Sequence, residues 1–278
     1  MLNDLADEEK PESIIENNNL CLVPTMGALH EGHISLIKTA KKTDKEVIVS
    51  IFVNRLQFND PIDFENYPRD LEKDLYMLKE YDVDFVFVPE EDYIYPQSGF
   101  ELLSAGELGK RYEGRSRPGH FDGVITVVNR LFEIIKPNIA IFGKKDFQQV
   151  FLIKKLIEDK KFETKIIENE TLRANSGLAL SSRNLHLSEK GLDNAQCIYK
   201  SLRAVKTNFL KTKNLEMAIK EGEQILSMKN IDLDYLEILD LETFSPLDPT
   251  TKKLIIIIAV LIENVRLIDN IQFEVEEN

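Results

Sequence analysis

Four short apolar runs recur up to residue 142: Leu20–Val23, Val47–Val53, Asp84–Pro89 and Ile139–Phe142. Within each run the apolar residues are consecutive rather than alternating, the pattern of strands covered on both faces. Between successive runs lie helix-length segments with one apolar face, such as Val124, Val127, Val128, Leu131, Phe132 and Ile135. Strands alternating with helices predict right-handed βαβ units and a parallel sheet, an α/β fold. A further strand is expected over Thr164–Glu168. In the segment Tyr67–Asp70 a helix opens, with Leu71, Leu75 and Leu78 as its buried stripe.

Beyond about residue 185 the pattern changes. Ser188 is an N-cap candidate, a helix follows around Leu215–Met228, and strands are expected at Leu233–Leu241, Leu254–Ile262 and, shorter, Val265–Ile268. At 278 residues the chain exceeds what one compact core usually holds. The expectation is an α/β domain over 1–185 and a smaller α+β domain over 186–278.

A formal net charge of −13 argues against a nucleic-acid binder, which needs clustered Lys and Arg, but leaves room for a mononucleotide. Cys21 and Cys197 sit in apolar surroundings and read as buried free thiols. Met1–Ser13 is acidic and lacks the apolar core of a signal peptide, and Leu254–Ile262 is too short to span a bilayer. A cytoplasmic protein with no membrane partner is expected.

Several polar clusters follow apolar runs, where open α/β sheets bind ligands. Val23-Pro24-Thr25-Met26-Gly27-Ala28-Leu29-His30-Glu31-Gly32-His33 joins the first strand to a helix and holds two of the four histidines. A helix start offers unpaired N–H groups and a positive dipole end, so phosphate is favoured there, with imidazoles as added donors. Asn54 and Gln57 suit hydroxyls or a carboxylate. Gly114–Gly123 combines glycines, Arg115, Arg117 and His120, as a mobile lid or anion cradle would. Gly143-Lys144-Lys145-Asp146-Phe147-Gln148-Gln149 offers Lys145 for phosphate and Asp146 for a ribose hydroxyl. Ser181-Ser182-Arg183 reads as a second phosphate clamp. Each cluster also has an ordinary reading: His30 as a cap, Asp146 as a cap, the lysines as solvated, the arginines as surface ion pairs.

In order along the chain, PTMGALHEGH (24–33), SIFVN with LQF (50–58), YPR (67–69), RPGHF with GV (117–124), FGKKDFQQ (142–149), GLALSSRN (177–184) and RLIDN (266–270) closely resemble the pantothenate synthetase family. The resemblance implies a Rossmann-like nucleotidyltransferase domain with a smaller C-terminal domain, a homodimer, and ATP-dependent joining of pantoate to β-alanine with Mg²⁺. The route it implies runs through a pantoyl adenylate and releases AMP and pyrophosphate. Position by position, it implies that Met26, Gly27, Ala28, Leu29, His30, Glu31, Gly32 and His33 bind ATP, with His33 as proton donor. Gly143, Lys144, Lys145, Asp146, Leu172, Leu180, Ser181, Ser182 and Arg183 would bind ATP as well, and Gln57 and Gln149 would hold pantoate, with Gln57 also contacting β-alanine. His30, His33, Lys145, Ser181, Ser182 and Arg183 are the expected catalytic groups, and the Mg²⁺ ligands are left open. Arg55 stands where the family usually has Pro, Ser176 replaces an acidic residue, and Ala259–Val265 departs from the usual stretch. The alternatives are another H-x-G-H nucleotidyltransferase acting on a phosphorylated acceptor, and a nucleotide-binding protein without turnover.

Overall fold

The computed structural model describes residues 3–4, 19–229 and 231–275. They fall into two compact units. The first runs to Gly143 and resumes over Gln148–Glu170; the second comprises Lys144–Phe147 and the chain from Thr171 onward. Lys144–Phe147 and residues 171–185, assigned from sequence to the first domain, thus count with the second unit. Most of Met1–Ser13 lies outside the described residues.

In the first unit, β1 (Asn3–Asp4), β2 (Leu20–Thr25), β3 (Glu46–Ile51), β4 (Phe85–Phe87), β5 (Ile139–Gly143) and β6 (Lys165–Asn169) form one sheet in the order β1-β4-β3-β2-β5-β6. Every pairing is parallel, with Leu20 to Thr25 in register with Glu46 to Ile51. The consecutive apolar runs are buried as expected: Cys21, Leu22 and Val23 in β2 and Val47 to Ile51 in β3. The order reverses between β2 and β5, the place where such sheets form a crevice outside their C-terminal ends.

Four helices of this unit matter for the site: α1 (Glu31–Ala40), α2 (Leu71–Glu80), α3 (His120–Ile135) and α4 (Phe147–Lys160), the last beginning in the second unit at Phe147. Asp70 caps α2 by accepting the Lys73 N–H. The stripe predicted for α2 is corrected at two positions. Leu71 is 42% exposed, and Asp74, which the apolar pattern leaves out, is 2% exposed.

In the second unit, β7 (Asp232–Asp240), β8 (Lys253–Ile262) and β9 (Val265–Glu274) make an antiparallel sheet with β8 in the middle. Helices α5 (Glu189–Thr212) and α6 (Leu215–Ser227) share its core through Ile198, Leu202, Val205, Leu226, Ile256 and Ile258. The strand expected to end at Ile268 continues to Glu274, because a two-residue turn lets β9 pair with the whole of β8. That turn, Glu263–Asn264, has φ of +52° and +63°, the left-handed pair that matches the twist of a hairpin. Glu263 also accepts from the N–H and hydroxyl of Ser188, which caps α5. Both cysteines are buried and free.

Candidate active site

The turn from β2 into α1 is closed by its own side chains. His30 is the N-cap of α1 and its Nδ1 accepts from the Gly32 N–H at 3.0 Å, while His33 Nδ1 accepts from the His30 N–H at 3.2 Å. The reciprocal pattern is a capping box in which imidazoles replace the usual hydroxyl and carboxamide. A neutral imidazole nitrogen that accepts a hydrogen bond carries no proton, so both rings hold theirs on Nε2. The ring centroids are 4.2 Å apart. Burial, and secondarily repulsion from His30, lower the His33 pKa from 6.5 to about 3. His33 is therefore a neutral donor at pH 7.

The backbone of this turn differs from the expected open cradle. The Gly27 N–H donates to the Thr25 hydroxyl, those of Ala28 and Leu29 to the Asp74 carboxylate, and that of His33 to the His30 carbonyl. With His30 and Gly32 also engaged, the backbone N–H groups of Gly27, Ala28, Leu29, His30, Gly32 and His33 all have partners within the protein, and the dipole of α1 remains. His30 is the cap that its local reading expects.

Gln57 lies in the 3₁₀ turn Arg55–Gln57 after β3 and is buried. The buried Asn54 orients it. Asn54 Nδ2 donates to Gln57 Oε1 and to the Gly123 carbonyl, both at 3.0 Å, while Asn54 Oδ1 accepts from the Leu56 N–H and the Tyr95 hydroxyl. With Oε1 held, Gln57 Nε2 turns toward Met26 Sδ at 2.9 Å. Arg55 is exposed at the start of this turn.

The segment read as a lid or anion cradle is buried at its ends and exposed at Arg115, Ser116, Pro118 and Gly119. Glu113 and Gly114 are buried in the short helix Glu113–Ser116, and His120 starts α3 almost fully enclosed. His120 Nδ1 donates to the Gln57 carbonyl at 2.8 Å, and because guanidinium only donates, Arg117 supplies the proton in its 3.1 Å contact with His120 Nε2. Arg117 also reaches the Gln57 carbonyl at 3.4 Å. Gly123 allows α3 to approach, since a Cβ there would overlap the Leu56 carbonyl. Three residues of the segment, Arg117, His120 and Gly123, meet the turn that carries Gln57. Gln149 stands half-buried in the first turn of α4, whereas its neighbour Gln148 is buried and donates to the Leu108 and Arg111 carbonyls.

Gly143 closes β5 at the edge of the first unit, and the other expected groups lie in the second, beginning with the 3₁₀ turn Lys144–Asp146. Leu172 and Leu180 face each other across a hairpin, through the Leu180 N–H to Leu172 carbonyl bond and the Arg173–Ala179 bridge, with Ser176 in its turn. The hairpin delivers Ser181, which caps the turn Ser182–His186 by accepting from the Arg183 N–H. Lys145 and Ser181 line one small cavity with Leu178, Asn184 and Asp269.

A network missed in the sequence supports these loops. Asn270 Nδ2 donates to the Lys144 and Lys145 carbonyls at 2.7 and 2.9 Å. Arg173 forks onto Asp269 at 2.5 and 2.8 Å and reaches the Gly177 and Asn270 carbonyls, with its guanidinium 4.1 Å from the Tyr199 ring centroid. The motif 266–270 contains Asp269 and Asn270, but nothing in its pattern tells a supporting pair from ordinary strand residues. Among the described residues no group of three or more His, Cys, Asp or Glu is placed to hold a metal ion.

The family described as Pantoate-beta-alanine ligase matches residues 3–272. The pantothenate synthetase of Thermosipho africanus is 44% identical over 249 residues, covering 89% of this chain and 90% of its own. The pantoate–beta-alanine ligase of Schizosaccharomyces pombe is 43% identical, with 92% of each chain covered. The crystal structure of pantothenate synthetase from Thermus thermophilus matches with a TM-score of 0.86 at 36% identity, over 95% of this chain and 98% of that one. The Francisella tularensis ligase, complexed with beta-gamma ATP and beta-alanine, matches with a TM-score of 0.76 at 40% identity, over 95% and 96%.

Proposed function

Because the chain belongs to the pantoate–beta-alanine ligase family, we propose that it condenses pantoate with β-alanine through a pantoyl adenylate, releasing pyrophosphate and AMP. The observation that carries this reading is that the family match spans residues 3–272 and so includes every residue assigned to phosphate or substrate. The Francisella tularensis relative, solved with an ATP compound and β-alanine, supports ATP-dependent ligation.

In the first step the pantoate carboxylate attacks the α-phosphorus and the bond to the β-phosphate bridging oxygen breaks, so negative charge grows on the departing pyrophosphate. Lys145 and Arg183 supply permanent positive charge, and Ser181 and Ser182 supply hydroxyl donors. His30 and His33 donate hydrogen bonds from Nε2. The low pKa of His33 supports a hydrogen-bond donor in place of an imidazolium acid. Met26–Leu29, Glu31 and Gly32 frame that turn, while Gly143, Lys144, Asp146, Leu172 and Leu180 complete the ATP contacts. Gln57 and Gln149 hold pantoate, the fixed amide of Gln57 suiting a carboxylate or hydroxyl. In the second step the β-alanine amine attacks the acyl carbon and AMP leaves, a reaction governed by positioning and exclusion of water.

Mg²⁺ neutralises phosphate charge when bound. With no carboxylate cage among the described residues, phosphate oxygens and water are its natural ligands. A homodimer and a cytoplasmic location belong to the same proposal; among the described residues no helix is long and apolar enough to cross a membrane.

The test is formation of AMP and pantothenate by purified protein given pantoate, β-alanine and MgATP. AMP appearing only with both organic substrates supports the ligase, whereas binding of ATP without AMP release refutes it. His33→Ala should slow single-turnover adenylation by about 10²-fold or more, as loss of one positioned donor does.

A further inference from the structure

A carboxylate beneath a loop intended for phosphates is electrostatically out of place, and Asp74 is such a group. It occupies a core-facing position of α2 and is 2% exposed. An acidic side chain is retained in such a place only where hydrogen bonds compensate its lost hydration. Asp74 has two from successive backbone donors, Ala28 N–H to Oδ2 at 2.9 Å and Leu29 N–H to Oδ1 at 2.8 Å.

The backbone it holds is strained. Gly27 has φ +77° and Ala28 φ +50°, two left-handed residues in succession, and the second carries a Cβ. An L-residue in that region costs about 1–2 kcal/mol. The turn is moulded to the carboxylate: a Cβ on Gly27 would stand 2.9 Å from Asp74 Oδ2 and 3.2 Å from Ile51 Cγ2. Immediately after these two residues come buried Leu29 and then His30, whose N–H is the donor to His33 Nδ1. Asp74, Gly27–Leu29 and the imidazole pair all lie in the first unit.

We propose that Asp74 is a positioning residue of the active site: by fixing the Ala28 and Leu29 N–H groups it sets the peptide plane of His30, and with it the tautomers and orientation of both imidazoles. The role in catalysis presupposes the ligase reading above; the effect on the imidazoles does not. The partners of the Asp74 carboxylate are the two backbone N–H groups. Its negative charge opposes phosphate binding, so its contribution is geometric.

Two variants test it in the full chain, Asp74→Asn and Asp74→Ala. The amide of Asn accepts from one of the two N–H groups and turns its own donors on the other; Ala accepts from neither. Expected is a kcat decrease of about 10-fold for Asn and about 100-fold for Ala, in the range that small misplacements of catalytic groups produce, with KM for β-alanine unchanged. Long-range proton–nitrogen spectra should show His30 and His33 protonated on Nε2 in the wild type and mixed tautomers in both variants. Wild-type tautomers and kcat in a cooperatively folded Asp74→Asn protein would overturn the proposal. So would a uniform rise of every KM with unchanged imidazole spectra. If the wild type forms no AMP, the ligase reading fails and the tautomer comparison alone decides the role of Asp74.

Discussion

Replacing Arg173 with Met tests how the second unit is held. The substitution keeps much of the side chain's length and removes a fork onto Asp269, donors to two carbonyls, and a cation stacked on Tyr199. Asp269, whose side chain is 3% exposed, is left buried with the Asn270 N–H at 2.8 Å. Breaking a buried ion pair from one side costs roughly 3–5 kcal/mol. Arg173 retains 19% exposure, so water softens the loss toward the lower end, about 3 kcal/mol. That is roughly a 100-fold change in the local folding equilibrium. Amide exchange across β9 and the Arg173–Ala179 hairpin reads it directly, with urea unfolding as a second measure. The double variant Arg173→Met/Asp269→Leu removes both charges and should lie closer to the wild type than the single variant. A cost below about 1 kcal/mol for the single change, the value of an exposed pair, would refute the reasoning.

Gly123→Ala should push the Leu56–Gln57 turn away from α3, costing about 1–3 kcal/mol of stability, as overpacking does, and raising KM for pantoate; unchanged kinetics would detach Gly123 from the placement of Gln57. His33 yields a pH prediction. Its folded pKa lies below its unfolded value, so the unfolded state binds more protons, and stability present above pH 6.5 is lost as pH falls toward 3. His33→Gln keeps the capping geometry without the titration, so wild-type stability should fall more steeply between pH 6 and pH 4, by up to about 1.4 kcal/mol per pH unit. Parallel acid-unfolding curves for the two proteins would contradict this.

Consecutive apolar runs were enough to place the buried strands of the parallel sheet, because a strand covered on both faces has no polar side to disguise it. The left-handed pair Glu263–Asn264 lacks the usual Gly, so β9 read as four residues rather than ten. Ligand-suited groups were legible where they interrupt apolar runs: His30, His33, Lys145 and Ser181 stand where strand or hairpin patterns stop. The residues that hold the backbone beside them were not. An Asp at a buried helical position resembles any solvated acid until the Ala28 and Leu29 N–H groups are seen beside it. The Gly114–Gly123 composition did not reveal its contacts with Gln57 for a related reason, since glycine and arginine suit a close-packed turn as well as a moving one. His120 becomes a brace only once the Gln57 carbonyl is placed against its ring.

Four residues, Lys144–Phe147, join the second unit although the chain on either side of them belongs to the first. The polypeptide therefore passes between the units three times rather than once, and the second unit is not a modular fragment. A piece cut at Thr171 would leave behind the Lys144 and Lys145 carbonyls that receive Asn270, and the Phe147 ring 6.2 Å from Phe244. Recombination at residue 171 would separate the two parts of that unit, whereas grafting Lys144–Phe147 along with the C-terminal segment would keep them together.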